Sequence, residues 1–110
     1  MNNKVALICM PMRDMTLAAI NGNLDEITKI LTDRGFSVLR PYLSDGYESP
    51  ITALSKSIEL MDSADIIVFT YDYRMARGCR VQFQIATEYG KEIMILPKLS
   101  DLEELLKWKF

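Results

Sequence analysis

Apolar residues fall along this chain in two rhythms, short unbroken runs and longer stretches spaced by three and four, and the two alternate from start to finish. Lys4 to Met10 is an almost uninterrupted apolar run ended by Pro11, the pattern of a strand covered on both faces. Leu17, Ile20, Leu24, Ile27 and Leu31 then keep helical spacing behind Thr16, which suits an N-cap. The spacing runs through Asn21-Gly22-Asn23 and predicts one helix. Gly22 costs about 1 kcal/mol against alanine inside a helix, so a break with Asn23 capping a second piece is the alternative. Gly35 closes the helix in either case.

Phe36 to Arg40 predicts a second strand stopped by Pro41, and the polar stretch Ser44 to Glu48 a loop. Ser49-Pro50 supplies a cap and a first-turn proline, and Ile51, Leu54, Ile58 and Met61 mark the inward face of a helix reaching about Asp62. Ile66 to Thr70 is a third buried run. Gly78 to Tyr89 follows as a helix stopped by Gly90, and Glu92 to Leu96 as a fourth strand stopped by Pro97. Ser100 and Glu103 form a capping box for a last helix with Leu102, Leu105 and Leu106 turned inward. Strands alternating with helices require right-handed crossovers. The expectation is an α/β fold, three layers in the Rossmann-like or flavodoxin-like manner, with about four parallel strands ordered 2-1-3-4.

At 110 residues the chain is long enough for one core and too short for two, so residues 1–110 are read as one domain. Val5 to Met12 is far shorter than a membrane span and is bounded by Arg13 and Asp14, which predicts neither anchor nor signal peptide and hence a cytoplasmic protein without membrane contact. A net charge of −2 gives no general pull toward polymeric nucleic acid, although Arg74, Arg77 and Arg80 can attract one phosphate. The absence of histidine removes Ser-His-Asp and Cys-His chemistry. With only Cys9 and Cys79 besides, no metal site and no cofactor is expected. Met12-Arg13-Asp14 lacks Walker and dinucleotide-binding spacing, which sets aside kinases and dehydrogenases.

Ligands of such a sheet lie beyond the carboxyl ends of its strands. Loops 11–16, 41–49 and 71–79 reach that rim and carry Met10, Met12, Arg13, Asp14, Tyr42, Tyr47, Asp72, Tyr73, Arg74, Arg77 and Arg80 toward it. Methionine and tyrosine suit the flat face of a base, and Asp72 can accept from a sugar or base edge. Gly78, Cys79 and Gln82 open the helix there, where free N–H groups favour an anion. Cys79 lacks the Cys-x5-Arg spacing of a phosphatase and reads as a small structural residue.

Residues 76–90, Ala-Arg-Gly-Cys-Arg-Val-Gln-Phe-Gln-Ile-Ala-Thr-Glu-Tyr-Gly, resemble the signature of the nucleoside 2-deoxyribosyltransferase-like superfamily, small-Gly-small-x-x-Glu-x-x-x-Ala. Ile8 to Met12, Gly35 to Val38 and Ser57 to Asp65 resemble its first strand and turn, second strand and helix-to-strand junction. The nearest likeness is to a small, largely uncharacterised branch of bacterial and phage genomes, a domain of unknown function. The resemblance implies a nucleoside or nucleotide ligand and pairing as a homodimer or higher oligomer. It places Gln82 at the family's nucleophilic glutamate and Asp72 at the aspartate that assists base departure.

A neutral amide is a far poorer nucleophile than a carboxylate toward an oxocarbenium-like carbon. Gln84 supplies no replacement, and Glu88 lies on another helix face. Met10, Met12, Arg13, Asp14, Tyr47, Arg77, Gly78, Cys79 and Arg80 are the candidate ligand-binding residues. The expectation is a binding protein with a weak or inactive site. Its rivals are an active N-glycosidic hydrolase or deoxyribosyltransferase working through Asp72 or Asp14 or by direct attack of water, and a phage-type sequestering or protein-interaction module using Trp108 and Phe110.

Overall fold

A computed structural model describes residues 3–98 and contains four parallel strands in the order β2-β1-β3-β4, with helices on both sides. Both the strand order and the parallel direction agree with the sequence reading. The elements are β1 (Val5–Cys9), α1 (Leu17–Asp33), β2 (Ser37–Leu39), α2 (Pro50–Asp62), β3 (Ile66–Phe69), α3 (Arg77–Glu88) and β4 (Glu92–Ile95). A 3-10 turn over Tyr73–Met75 precedes α3, and the periodicity gave no sign of it. The capping box at Ser100 and Glu103, and Leu102, Leu105, Leu106, Trp108 and Phe110, lie outside the described residues.

Alternation along β1 and β3 divides the core in two. Ala6, Ile8, Ile66 and Val68 face α1, where they meet Ile20, Leu24, Ile27 and Leu31. Leu7, Cys9, Ile67 and Phe69 face the opposite side with Met61, Tyr73, Cys79 and Ala86. Both faces of these strands are therefore dry, which is why their sequences are continuous apolar runs.

Helix α1 passes through Gly22 without a break. Four fully inward Leu and Ile side chains outweigh the glycine penalty, since each is worth about 1.5–3 kcal/mol when buried. The helix ends in a Schellman motif: Gly35 N–H donates to Thr32 O at 2.9 Å and Phe36 N–H to Leu31 O at 3.1 Å, with Gly35 at φ 91°. Helix α3 closes the same way through Gly90 and Lys91, at φ 70° for the glycine.

One helix face differs from the sequence reading. Ile51 is 80% exposed, while Leu54 and Ile58 are half-buried and Met61 is buried. The first half of α2 turns Pro50, Ala53, Leu54 and Ser57 toward a cavity, which leaves Ile51 outside the stripe. Among the described residues no helix is long and apolar enough to cross a membrane.

Candidate functional site

The crossovers from β1 and β3 leave in opposite directions, and beyond the carboxyl ends of these strands the rim loops enclose two cavities. The larger, of about 450 Å³, is bounded by the end of β1, the starts of α1, α2 and α3, and the loop after β2. Cys9, Met10, Met12, Arg13, Gly78, Cys79 and Gln82 line it together with Tyr42, Leu54 and Ser57. The smaller, of about 290 Å³, lies toward β4 and is lined by Asn23, Thr70, Tyr71, Asp72 and Lys98 over Met15, Ile27 and Leu96. Among the described residues Met10 is the one common to both.

This division separates two residues that the resemblance places in one site. Asp72 lines the smaller cavity, where its Oδ1 accepts from Thr70 Oγ1 at 2.7 Å, and Gln82 lines the larger. The 3-10 turn lies between them along the chain, with Met75 N–H donating to Asp72 O at 2.9 Å, and Asp72 still acts electrostatically on Cys79 of the larger cavity.

Gln82 is 7% exposed and is the one buried polar side chain among the described residues. No hydrogen bond joins its carboxamide to any described group. Its neighbour Gln84 behaves differently, donating to Glu88 Oε1 at 2.9 Å on the exposed face. The carboxamide atoms are not sealed from solvent, so the amide keeps contact with the open cavity it lines. It faces open space.

The other predicted residues fall into three groups. Arg13 stands at the mouth of the larger cavity, exposed but lining it. Asp14 lines neither cavity; it occupies a left-handed turn at φ 63°, which aspartate tolerates better than most residues. Tyr47 is 94% exposed, and Asp45 Oδ1 accepts from its N–H at 2.8 Å to shape the loop. Arg77 and Arg80 are exposed and line neither cavity, and Arg80 Nη1 donates to Arg74 O at 2.7 Å, which ties it to the 3-10 turn. Arg74 in turn donates through Nε to Tyr73 OH at 3.0 Å. Tyr73 is buried in the core rather than at the rim, stacked on Phe83 with ring centroids 4.8 Å apart.

A cluster absent from the sequence reading holds the loop that walls the larger cavity. Tyr42 OH donates to Glu48, while Lys56 Nζ lies 3.0 Å from Glu48 Oε2, 3.3 Å from Tyr42 OH and over the tyrosine ring at 5.1 Å. Hydrogen bonds from Tyr42 and then Lys56 hold the Glu48 carboxyl below its usual range, and Glu48 pushes both Lys56 and Tyr42 above theirs. All three therefore keep their neutral-pH protonation states. Spacing along α2 is the signal that reveals the wall: Pro50, Ala53, Leu54 and Ser57 share one helix face, and Lys56 lies beside it.

Burial, and after it the charge of Asp72, push the Cys79 thiol up to about 11 against the opposing influence of Arg80. Burial raises the Cys9 thiol as well. Neither is a ready nucleophile. At pH 7 iodoacetamide should modify native Cys79 roughly two orders of magnitude more slowly than the urea-unfolded chain, as peptide mass spectrometry would measure. Equal rates would mean a stabilised thiolate. Among the described residues no three His, Cys, Asp or Glu side chains are grouped to hold a metal ion.

No family model, curated protein or solved structure matches this chain.

Proposed function

We propose that the larger cavity binds a nucleoside, nucleotide or nucleotide-derived small molecule and that Gln82 is a recognition group in it, not a nucleophile. The carrying observation is Gln82, a residue only 7% exposed whose carboxamide has no partner among the described residues and which lines a cavity of about 450 Å³. Such an amide offers both a donor and an acceptor, the complement of a base edge or a sugar hydroxyl. Met10, Met12 and Tyr42 present sulfur and ring surfaces that suit a planar heterocycle. The volume lies within the range of small-molecule sites, about 300–1,000 Å³.

Glycosidic chemistry is the weaker reading. It asks for a carboxylate against the anomeric carbon, and among the described residues no Asp or Glu lines the larger cavity. Asp72 sits beyond Met10 in the other one.

Calorimetry of the full chain against adenosine, deoxyadenosine, guanosine, thymidine and their 5′-monophosphates tests the proposal. A saturable heat with at least one of them, and no free base by chromatography after prolonged incubation, is the expected result. Absence of heat and of thermal shift across the panel would refute binding. Steady base release would transfer the cavity to the enzymatic reading.

A further inference from the structure

The chain has two cysteines, and both line the larger cavity, Cys9 from the last position of β1 and Cys79 from the first turn of α3. Met10 and Met12 line it too. The segment Cys9-Met10-Pro11-Met12 therefore supplies three sulfur-bearing residues to the lining within four positions, and α3 supplies a fourth. Alternation along β1 puts Cys9 in the core on the α3 side and Met10 in the core on the α1 side. Because the strand ends at Cys9, both still border the space beyond it.

Both cysteines are free thiols in one buried cluster, and Cys79 is near enough to Cys9 to act on it through its charge. Neither sulfur has a hydrogen-bond partner among the described residues. The donors that hard and borderline cations require are missing here: the chain has no histidine, and among the described residues no carboxylate lines this cavity. What argues against zinc does not argue against a soft ion. Thiolate and thioether ligands select copper(I), for which two strong sulfur donors go far, and a thiol that coordinates gives up its proton outright. Two thiolates around one monovalent cation leave a single negative charge. Arg13, which lines the cavity, and the N-terminal end of α3, which has no acidic residue in its first turn, both favour that charge.

We propose that Cys9 and Cys79 form a binding site for a soft thiophilic cation of the copper(I) class, with the Met10 and Met12 thioethers as supplementary donors at the end of β1. Each thiol loses its proton to solvent as its sulfur–metal bond forms, and the ion enters and stays as copper(I), so no electron is transferred. A trio of His, Cys, Asp or Glu is not needed, since the further donors are methionines. The site goes beyond the small-molecule reading and shares only the cavity with it.

The test is an anaerobic titration of the reduced full chain, labelled with 13C at the methionine methyls, with copper(I) held by a chromophoric chelator. Transfer of one ion per chain is expected. The Met10 and Met12 methyl signals should shift to saturation at one equivalent, while that of Met75, which is 82% exposed, stays in place as the control for casual thioether binding. Excess zinc should leave the transfer unchanged. Cys79→Ala keeps a small side chain at the site and should weaken copper(I) at least about a hundredfold. Should that variant fail to fold, Met12→Leu serves: Met12 is half-buried, leucine conserves its volume, and the substitution should hold Tm and weaken the ion about fivefold. A chelator that keeps its copper, Met10 and Met12 signals that stay still, a Met75 signal that moves with them, displacement by zinc, or a folded Cys79→Ala that binds as the parent does would each overturn the site. None of these results bears on nucleoside binding, which its own calorimetry decides.

Discussion

Phe69→Ala should lower the unfolding free energy by about 3–5 kcal/mol, a large share of the 5–15 kcal/mol that holds an ordinary domain together. Phe69 ends β3, is fully buried and lies beside Cys9 of β1 and Ile95 of β4. Its ring meets Tyr73 at 5.2 Å and Phe83 at 5.3 Å between centroids, and these two stack on each other. The trio joins the last residue of the strand, the 3-10 turn and the middle of α3. Deleting one ring leaves a void that the other two can close only by moving. Urea titration followed by circular dichroism measures the loss, and Phe69→Leu, which leaves a smaller void, should cost less. A loss under about 1 kcal/mol would mean that the aromatic cluster does not form. Because Tyr73 and Phe83 flank the start of α3, the same substitution should broaden the Gly78 and Cys79 amide signals in whatever folded protein remains.

How much of this was readable from residue order depends on how local the cause is. Helix α1 was legible across Gly22 because Ile20, Leu24, Ile27 and Leu31 repeat on one face and their combined burial exceeds one glycine's cost. Strands β1 and β3 were legible because cover on both faces leaves no polar position to interrupt the run. Ile51 misled because its spacing fits the inward stripe, while the cavity had taken the adjoining face of α2. The Tyr42, Glu48 and Lys56 cluster was illegible because it spans a loop and a helix and has no periodic signature. Tyr73 was placed at the rim by its position after β3, yet a single 3-10 turn carries its ring back into the core.

The candidate site divides along the same line. Position after a strand tells which residues reach the rim, and Met10, Met12, Arg13, Gly78, Cys79 and Gln82 do meet there. It does not tell on which side of the sheet plane a loop descends. Asp72 and Gln82 line different cavities, with a 3-10 turn between them along the chain. A resemblance carried residue by residue has no access to it either.

Gln82→Leu should move stability and binding in opposite directions. Leucine has nearly the volume of glutamine and no polar atoms, so at a position 7% exposed it removes an amide that lacks a partner. Because the carboxamide keeps contact with the open cavity, the gain in stability should be small, up to about 1 kcal/mol in urea titration. Ligand affinity should fall about tenfold to a hundredfold by calorimetry, because a ligand group that paired with the carboxamide is left facing hydrocarbon. Gln82→Glu gives the complementary sign. The new carboxylate faces a cavity lined by Arg13 and the starts of three helices, which favour its charged form and lower its folded-state pKa, so relative to the parent this variant should gain stability as pH rises through the carboxylate range and lose it in acid. The same charge, set against the starts of three helices, should repel an anionic ligand. A residue kept for packing alone would show neither the stabilisation by leucine nor the loss of binding. Both together would mean that the fold tolerates an unfavourable amide on α3 for the sake of what the cavity holds.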